Sequence, residues 1–382
     1  MSHHPSGPTS PPPTDPPTGG PGNGQLAVVG GGVIGWSVAW RAAVAGWSVT
    51  VFDPRPGRGS SWVAGGMLAP LTEGHPGEDA LLELGSESLR RWPAFAEQLT
   101  AAAGRPCGLS AEGTIVVGWN AGDRAELART VAYLAGRGRL VTQLDDDELR
   151  VLEPGLAPAL RSGVSVPQDR SVDNRALLAA LRAAADRAGV RTVERAVSDL
   201  DDDGVRGADQ VVIAAGTGSP TLTGPLRSTG ALPIRPVKGE ILRLRARPGA
   251  VPGPRHTVRA LVHGRSVYLV PRSDGLVVGA TQHEVGADTT VTVGGVRDLL
   301  ADATAVLPGL AEFEFAEHAA GLRPMSPDGV PFIGRLDDRV VLATGHGRNG
   351  ILLAPLTADA VLADLHRSPL AEVAAAAPGR FA

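Results

Sequence analysis

A chain of 382 residues exceeds what one simple core organises, so two interleaved domains are expected. A formal charge of −4, with no arginine run, excludes the basic surface that neutralises phosphates along a nucleic acid. The single cysteine, Cys107, excludes an internal disulfide and a cysteine-built zinc cluster and points to a reducing cytoplasm, while no window has the unbroken apolar length of a transmembrane helix.

Residues 1–24 are mostly Pro, Gly, Ser and Thr, too poor in apolar side chains to offset the entropy of ordering a backbone, and read as a disordered tail without a secretory signal. His3 and His4 lie in it as bystanders, and no metal centre is expected. From Leu26 the sequence LAVVGGGVIGWSVAWRAAVAGWSVTVFD reads as strand, glycine turn, helix and second strand. Gly30, Gly32 and Gly35 form G-x-G-x-x-G: the first permits the tight turn, the second admits a pyrophosphate, and the third lets helix and strand approach. Asp53 ends the second strand, placed to accept hydrogen bonds from an adenosine ribose. This is a dinucleotide site, and the fingerprint leaves NAD and FAD both open. The following small and hydroxyl residues, Ser60, Ser61, Gly65, Gly66 and Met67, line a long cofactor if they are not a surface loop, which favours flavin.

The middle of the chain supplies helices over DALLELGSESLRRWPAFAEQLT and DRAELARTVAYLAGRG, with the strand GTIVVGW between them. DDDELR reads as a helix start, and Asp173 as the N-cap of an Ala-rich helix ending near Gly189. The strand in ADQVVIAAGTGS leaves through Ala214, Ala215 and Gly216, where a cofactor can pass close to the backbone, although an ordinary core strand reads the same way. Lys238, the only lysine in the sequence, is assigned no catalytic role. SVYLVPR and GLVVGAT are paired strands with Asp274 and Gly275 in the turn, and Tyr268 is either packing or a hydroxyl aimed at a substrate.

Near the C-terminus, VVLATGHGRNGILLAP reads as strand, glycine loop and helix, with Arg323 and Arg348 flanking the loop. A helix start carries roughly half a positive charge and free amides. The first loop already holds the pyrophosphate, so the second is free to face the pyrimidine edge of a flavin and favour its two-electron-reduced state.

These segments together resemble the D-amino-acid-oxidase-type flavoproteins, and within them the glycine oxidase group, from Leu26 to about Leu365: VVGGGVIG, AGGMLAP, PVKGE, YLVPR, VVGAT, GLRP, DGVPFIG and GHGRNGILLAP occur in that order. The resemblance implies an α/β fold, a Rossmann-like FAD-binding domain interleaved with an α+β substrate domain whose sheet is mainly antiparallel. The expected division gives residues 25–95, 167–235 and 320–372 to the first and 96–166 and 236–319 to the second. It implies FAD on Val33, Ile34, Asp53, Ser60, Ser61, Gly65, Gly66, Met67, Val197 and the run His346, Gly347, Arg348, Asn349, Gly350, Ile351 and Leu352. Arg323 and Arg348 match substrate-site arginines and Tyr268 the hydroxyl on the substrate carboxylate; a structural ion pair is the competing role for Arg323. Ser266 and Gln282 depart from the pattern, standing where relatives carry histidine and methionine. Cys107 lies far from the cysteine that attaches flavin in covalent relatives, so dissociable FAD is expected.

The implied reaction oxidises glycine, with sarcosine and small D-amino acids as further substrates, by hydride transfer to flavin. The products are the 2-oxo acid, ammonia and hydrogen peroxide, and a link to thiamine thiazole synthesis is inherited from the resemblance. No protein group is expected as a base. The partners are a small amino acid or amine and molecular oxygen, and a homo-oligomer is expected. A dehydrogenase delivering electrons to a quinone or protein, a flavin-bearing subunit without turnover, and an NAD enzyme are the alternatives.

Overall fold

The computed structural model describes residues 23–223 and 232–381. Of the expected tail, Asn23 and Gly24 are among these, and the readings of residues 1–22, His3 and His4 included, lie outside the described residues. The chain opens with β1 (Gln25–Val29), α1 (Val33–Val44) and β2 (Ser48–Phe52), followed by α2 (Ser60–Val63), β3 (Met67–Leu68) and the long α3 (Asp79–Ala103). Then come β4 (Leu109–Ser110), β5 (Thr114–Gly118), α4 (Ala121–Gly136), β6 (Thr142–Leu144), α5 (Asp146–Leu152), β7 (Gly163–Val166), β8 (Arg170–Val172), α6 (Asn174–Arg187), β9 (Arg191–Val193) and β10 (Gln210–Ile213). The second half holds β11 (Arg235–Arg245), β12 (Thr257–Val262), β13 (Arg265–Arg272), β14 (Gly275–Gly279), α7 (Val293–Val306), β15 (Glu314–Met325), β16 (Phe332–Arg335), β17 (Val340–Thr344) and α8 (Ala354–Leu365).

Two sheets carry the architecture. The first has the order β16-β17-β10-β1-β2-β9 and is parallel except for β16. Its central strands are near-continuous apolar runs because helices cover them. Trp36, Trp40, Trp92, Phe95, Leu177 and Leu181 form the core under α1, α3 and α6, with Phe95 packed edge-on against Trp40 and Trp92 at 5.5 and 5.4 Å. Parallel β1, β10 and β17 end on one edge, where Gly30, Ala214 to Gly216 and Thr344 leave the sheet together. Ligands of open α/β sheets bind at such carboxyl ends.

The second sheet has the order β15-β11-β14-β13-β12-β5-β7-β6 and is antiparallel except where β12 meets β5. One face packs Leu242, Val258, Ala260, Val267, Leu269 and Val278 into a core shared with α7. The opposite face turns toward the carboxyl edge of the first sheet and forms the far wall of a cavity.

Local expectations hold at two helix starts. Asp173 accepts hydrogen bonds from Arg175 N and Ala176 N, and Asp145 forms a capping box with Glu148 at the start of DDDELR. Two details differ. The β13–β14 turn consists of Ser273 and Asp274, and Gly275 is already in the ladder opposite Arg272. It is small there because an added Cβ would lie 2.0 Å from Leu244 O. The last glycine loop does not open directly into regular helix: a 3-10 turn, Gly347–Asn349, comes first, and α8 begins only at Ala354 with a proline in its first turn. The boundary placed at 319/320 falls inside β15, which stays in the second sheet to Met325.

Candidate functional site

Between the two sheets lies a cavity of about 430 Å³. Main chain builds one wall. Gly30 sits at φ +111°, and a Cβ there would lie 2.3 Å from Ala214 O, so the turn closes only on glycine. α1 starts without a side-chain cap at Gly32 and without an acid in its first turn, and Gly32, Val33 and Ile34 border the cavity. An uncapped helix start of this kind attracts an anionic group. Asp53 binds back to the turn, accepting from Gly31 N and Arg55 N at 2.7 Å each, and each oxygen keeps a second lone pair for a hydroxyl.

The segment from Ser60 to Met67 continues this wall. The Ser61 hydroxyl accepts from Val33 N at 3.1 Å, and the Ser60 hydroxyl donates to Leu322 O. From behind, Asn174 Nδ2 donates to Ser61 O and Trp62 O, both at 2.8 Å, while Arg243 holds the Asn174 oxygen at 3.0 Å. Arg272 donates to Gly65 O at 2.7 Å, and although burial lowers its pKa to about 10 it stays charged at neutral pH. From the last loop, His346, Gly347, Arg348, Gly350 and Ile351 reach the cavity. His346 is buried against the Thr357 hydroxyl at 3.0 Å, and burial drives its pKa down to about 3, so the ring is neutral. Any positive field from this loop comes from backbone amides and not from that imidazole.

Four predicted cofactor residues do not border the cavity. Gly35 packs the turn, where a Cβ would lie 1.8 Å from Gly30 O. Val197 packs against the core beside β9 and β10. Asn349 is buried with its main chain bonded to His346 O and Leu353 N, and Leu352 O accepts from Trp92 Nε1 at 2.8 Å and Ser88 Oγ at 2.7 Å. These two hold the loop to the scaffold.

The opposite wall is made of side chains from one face of the second sheet. Registers place Arg259 opposite Tyr268, Tyr268 opposite Gly279, and Gly239 opposite Gly321, two residues before Arg323. Tyr268 fits because Gly65 and Gly279 lack side chains: a Cβ on either would come within 2.7 Å or less of its ring or hydroxyl. Burial raises the phenol pKa, so Tyr268 stays a hydrogen-bond donor. Arg323 lies flat over Gly239, whose added Cβ would be 2.4 Å from both terminal nitrogens. It donates to Thr281 O at 3.2 Å and Lys238 O at 3.4 Å and makes no ion pair among the described residues.

Arg348 behaves differently. It pairs with Glu78 and, at 3.6 Å, with Glu73, and it donates to Glu73 O. Burial opposes its charge, but the two acids outweigh burial and raise its pKa. Lys238 is buried on the other face of β11, 3.0 Å from Asp288, 2.9 Å from Thr290 O and 3.4 Å from Glu240, where it ties the segment after β14 to the sheet. Ser266 and Gln282 both border the cavity.

Sequence reasoning missed Arg259 and Glu73 inside the cavity and Asn174 and Arg272 behind it. Arg259 left a signal, since it interrupts the apolar strand TVRALV and a charge at such a position marks a wetted face. Asn174 and Arg272 left none that spacing can reveal, because their partners lie about a hundred and about two hundred residues away.

A family model described as FAD dependent oxidoreductase (DAO) matches residues 25–365. The glycine oxidase of Geobacillus kaustophilus strain HTA426 is 35% identical over 349 residues, 87% of this chain and 90% of that protein. The bifunctional protein ThiO/ThiG of Synechocystis sp. PCC 6803 is 33% identical over 361 residues, 89% of this chain and 51% of that protein, so the chain spans about half the length of that relative. The crystal structure of glycine oxidase from Geobacillus kaustophilus matches with a TM-score of 0.84 and 33% identity, covering 94% of this chain and 100% of that one.

Proposed function

The chain belongs to the FAD dependent oxidoreductase (DAO) family, and from that premise we propose that it oxidises glycine, with sarcosine and small D-amino acids as further substrates. The overall change consumes water and dioxygen and yields the 2-oxo acid, hydrogen peroxide and the free amine, which is ammonia from glycine or a D-amino acid and methylamine from sarcosine. FAD, when bound, supplies the two-electron oxidant that dioxygen regenerates.

The residues present fit FAD. An uncapped helix start beside Gly30 and Gly32 suits the pyrophosphate, Asp53 suits the ribose, and the Ser60–Met67 and His346–Ile351 segments would enclose the rest. Cys107 is buried in the core around α1, α3 and α6 and does not border the cavity, which supports dissociable cofactor.

The observation that carries the reading is a guanidinium without a counter-ion among the described residues, facing the cavity beside a protonated phenol. Arg323 would take the substrate carboxylate through parallel hydrogen bonds and Tyr268 would donate a third, fixing the α-carbon. Orientation and exclusion of water are what this chain contributes, and the amine enters neutral. The names of the relatives favour a place in thiamine biosynthesis.

The test is peroxide release from purified protein with glycine, repeated with Arg323→Ala. Charge-assisted hydrogen bonds contribute about 1.5–3 kcal/mol each, so KM should rise about 10- to 100-fold or more. Wild-type glycine affinity in Arg323→Ala removes the anchor, and turnover with an artificial acceptor but no peroxide makes the protein a dehydrogenase.

A further inference from the structure

The cofactor wall is held from behind. Asn174, fully buried at the start of α6, donates to Ser61 O and Trp62 O, and Val172 N donates to Gly66 O at 2.8 Å. Between these contacts Arg272 on β13, its side chain 5% exposed, donates to Gly65 O at 2.7 Å and to Pro271 O at 2.8 Å. The carbonyls of Ser61, Trp62, Gly65 and Gly66 are thus all taken by partners that do not border the cavity. In a trans peptide the N–H points opposite to the C=O, so a guanidinium on Gly65 O turns the Gly66 N–H toward the cavity side. That amide has no acceptor among the described residues, and Gly66 borders the cavity.

The charge behind this peptide is only partly offset. Arg272 Nε lies 3.7 Å from Asp173 Oδ2 and makes no hydrogen bond among the described residues. The other oxygen of Asp173 is committed to α6, accepting from Arg175 N at 2.9 Å and Ala176 N at 3.1 Å. A second guanidinium, Arg243 on β11, donates to Asn174 Oδ1 at 3.0 Å and makes no ion pair among the described residues. Two positive charges therefore share one carboxylate. Glycine lets them come close, since a Cβ on Gly66 would lie 2.0 Å from Val172 O and 3.1 Å from Arg272 Nη2. A hydrogen bond from a charged donor also polarises the peptide it reaches, which makes the N–H on the far side a stronger donor.

We propose that Arg272 is a positioning residue for the bound flavin: through the Gly65–Gly66 peptide it presents a polarised amide to the ring and makes the two-electron-reduced, anionic state easier to reach. This rests on FAD lying in the cavity and not on glycine being the substrate. Reduced flavin carries negative charge that the oxidised ring lacks, so a fixed positive charge binds the two states unequally. Acting across roughly 10 Å of protein, one charge shifts such an equilibrium by about tenfold. A brace with no electrostatic part would weaken both states alike and leave the potential where it was.

The experiment reads the midpoint potential of the FAD-loaded protein by anaerobic reduction against a reference dye. Arg272→Gln keeps a donor for Gly65 O and removes the charge. The ratio of reduced to oxidised flavin should fall about tenfold at a fixed potential, a drop of about 30 mV for a two-electron couple. Arg272→Lys keeps the charge and should restore most of that drop. Arg243→Gln, which leaves the Gly65 contact in place, should lower the same ratio by a smaller factor, about threefold. A yellow Arg272→Gln protein with the wild-type potential overturns the proposal, and so does a lysine variant that falls as far as the glutamine one. If Arg272→Gln retains no flavin, Arg243→Gln decides: a lowered potential supports the role and an unchanged one overturns it. Wild-type protein that takes up no FAD would end the cofactor reading itself, whereas flavin-loaded variants with unmoved potentials end only the role of Arg272.

Discussion

The two walls of the cavity recognise their ligands by different means. The edge of the parallel sheet offers backbone: a glycine turn, an uncapped helix start and a loop of small residues. The face of the antiparallel sheet offers side chains, Arg323, Tyr268 and Arg259, each seated by a neighbour on another strand or by an acid from a loop. Substitution on the backbone wall should therefore act mainly on cofactor retention. On the side-chain wall it should act on substrate affinity in protein that keeps its flavin.

The largest effect should come from Gly30→Val. The residue sits at φ +111°, and its new Cβ would lie 2.3 Å from the backbone oxygen of Ala214, which has no freedom to move. The purified protein should be colourless and destabilised. Gly136→Ala, whose added methyl meets nothing within 4 Å, should retain full flavin absorbance. A yellow, stable Gly30→Val protein would erase the distinction between the walls. Gly239→Ala tests the other side. Its methyl would occupy the place of the Arg323 guanidinium, 2.4 Å from both terminal nitrogens, on an extended strand that tolerates alanine. Flavin should remain while kcat/KM for glycine falls about tenfold or more, as expected for one misaligned charge-assisted contact. Wild-type kinetics would show that Arg323 can shift without cost.

This contrast also accounts for what could be read from the sequence. Backbone recognition depends on residues close together in the chain, so Gly30, Gly32, Gly35 and Asp53 announce the first turn, and Gly345, Gly347 and Gly350 the last. Asp173 and Asp145 are legible for the same reason, since a cap bonds to amides two or three residues away. The side-chain wall is assembled by register. Gly239 must be glycine because Arg323, more than eighty residues later in the chain, lies across it, and no local pattern states that. The family resemblance brought Arg323, Arg348 and Tyr268 together, but not that Glu73 and Glu78 pair with Arg348 while Arg323 keeps no acid partner among the described residues. Arg259 and Glu73 escaped because their role exists only once β12 and the loop before α3 face each other.

The smallest effects should come from two buried titratable groups, one on each side, whose contributions to stability have opposite pH dependence. Asp169 is fully buried behind the substrate wall. Its Oδ2 accepts from Thr72 at 2.9 Å, and its Oδ1 makes no hydrogen bond of ordinary geometry among the described residues. Burial pushes its pKa up from the ordinary 3.8 to about 7, against the opposing pull of Thr72 and Arg259. The folded chain therefore holds that proton more tightly than the unfolded one. Stability from this group is complete below pH 3.8 and is lost as pH rises toward about 7. His346, in the cofactor wall, is displaced the other way by burial, from 6.5 to about 3. Its folded form resists protonation, so stability is complete above pH 6.5 and is lost as pH falls toward about 3. In thermal unfolding of the flavin-loaded protein across pH 4 to 8, the two contributions oppose each other between about pH 4 and 6.5, so Asp169→Asn should make stability rise more steeply with pH there and His346→Gln should turn it toward a decline that ends near pH 7. If Asp169→Asn leaves the pH dependence unchanged, the carboxylate is ionised throughout. Arg259, whose pull opposes the shift, would then be compensating a buried charge as well as Glu73.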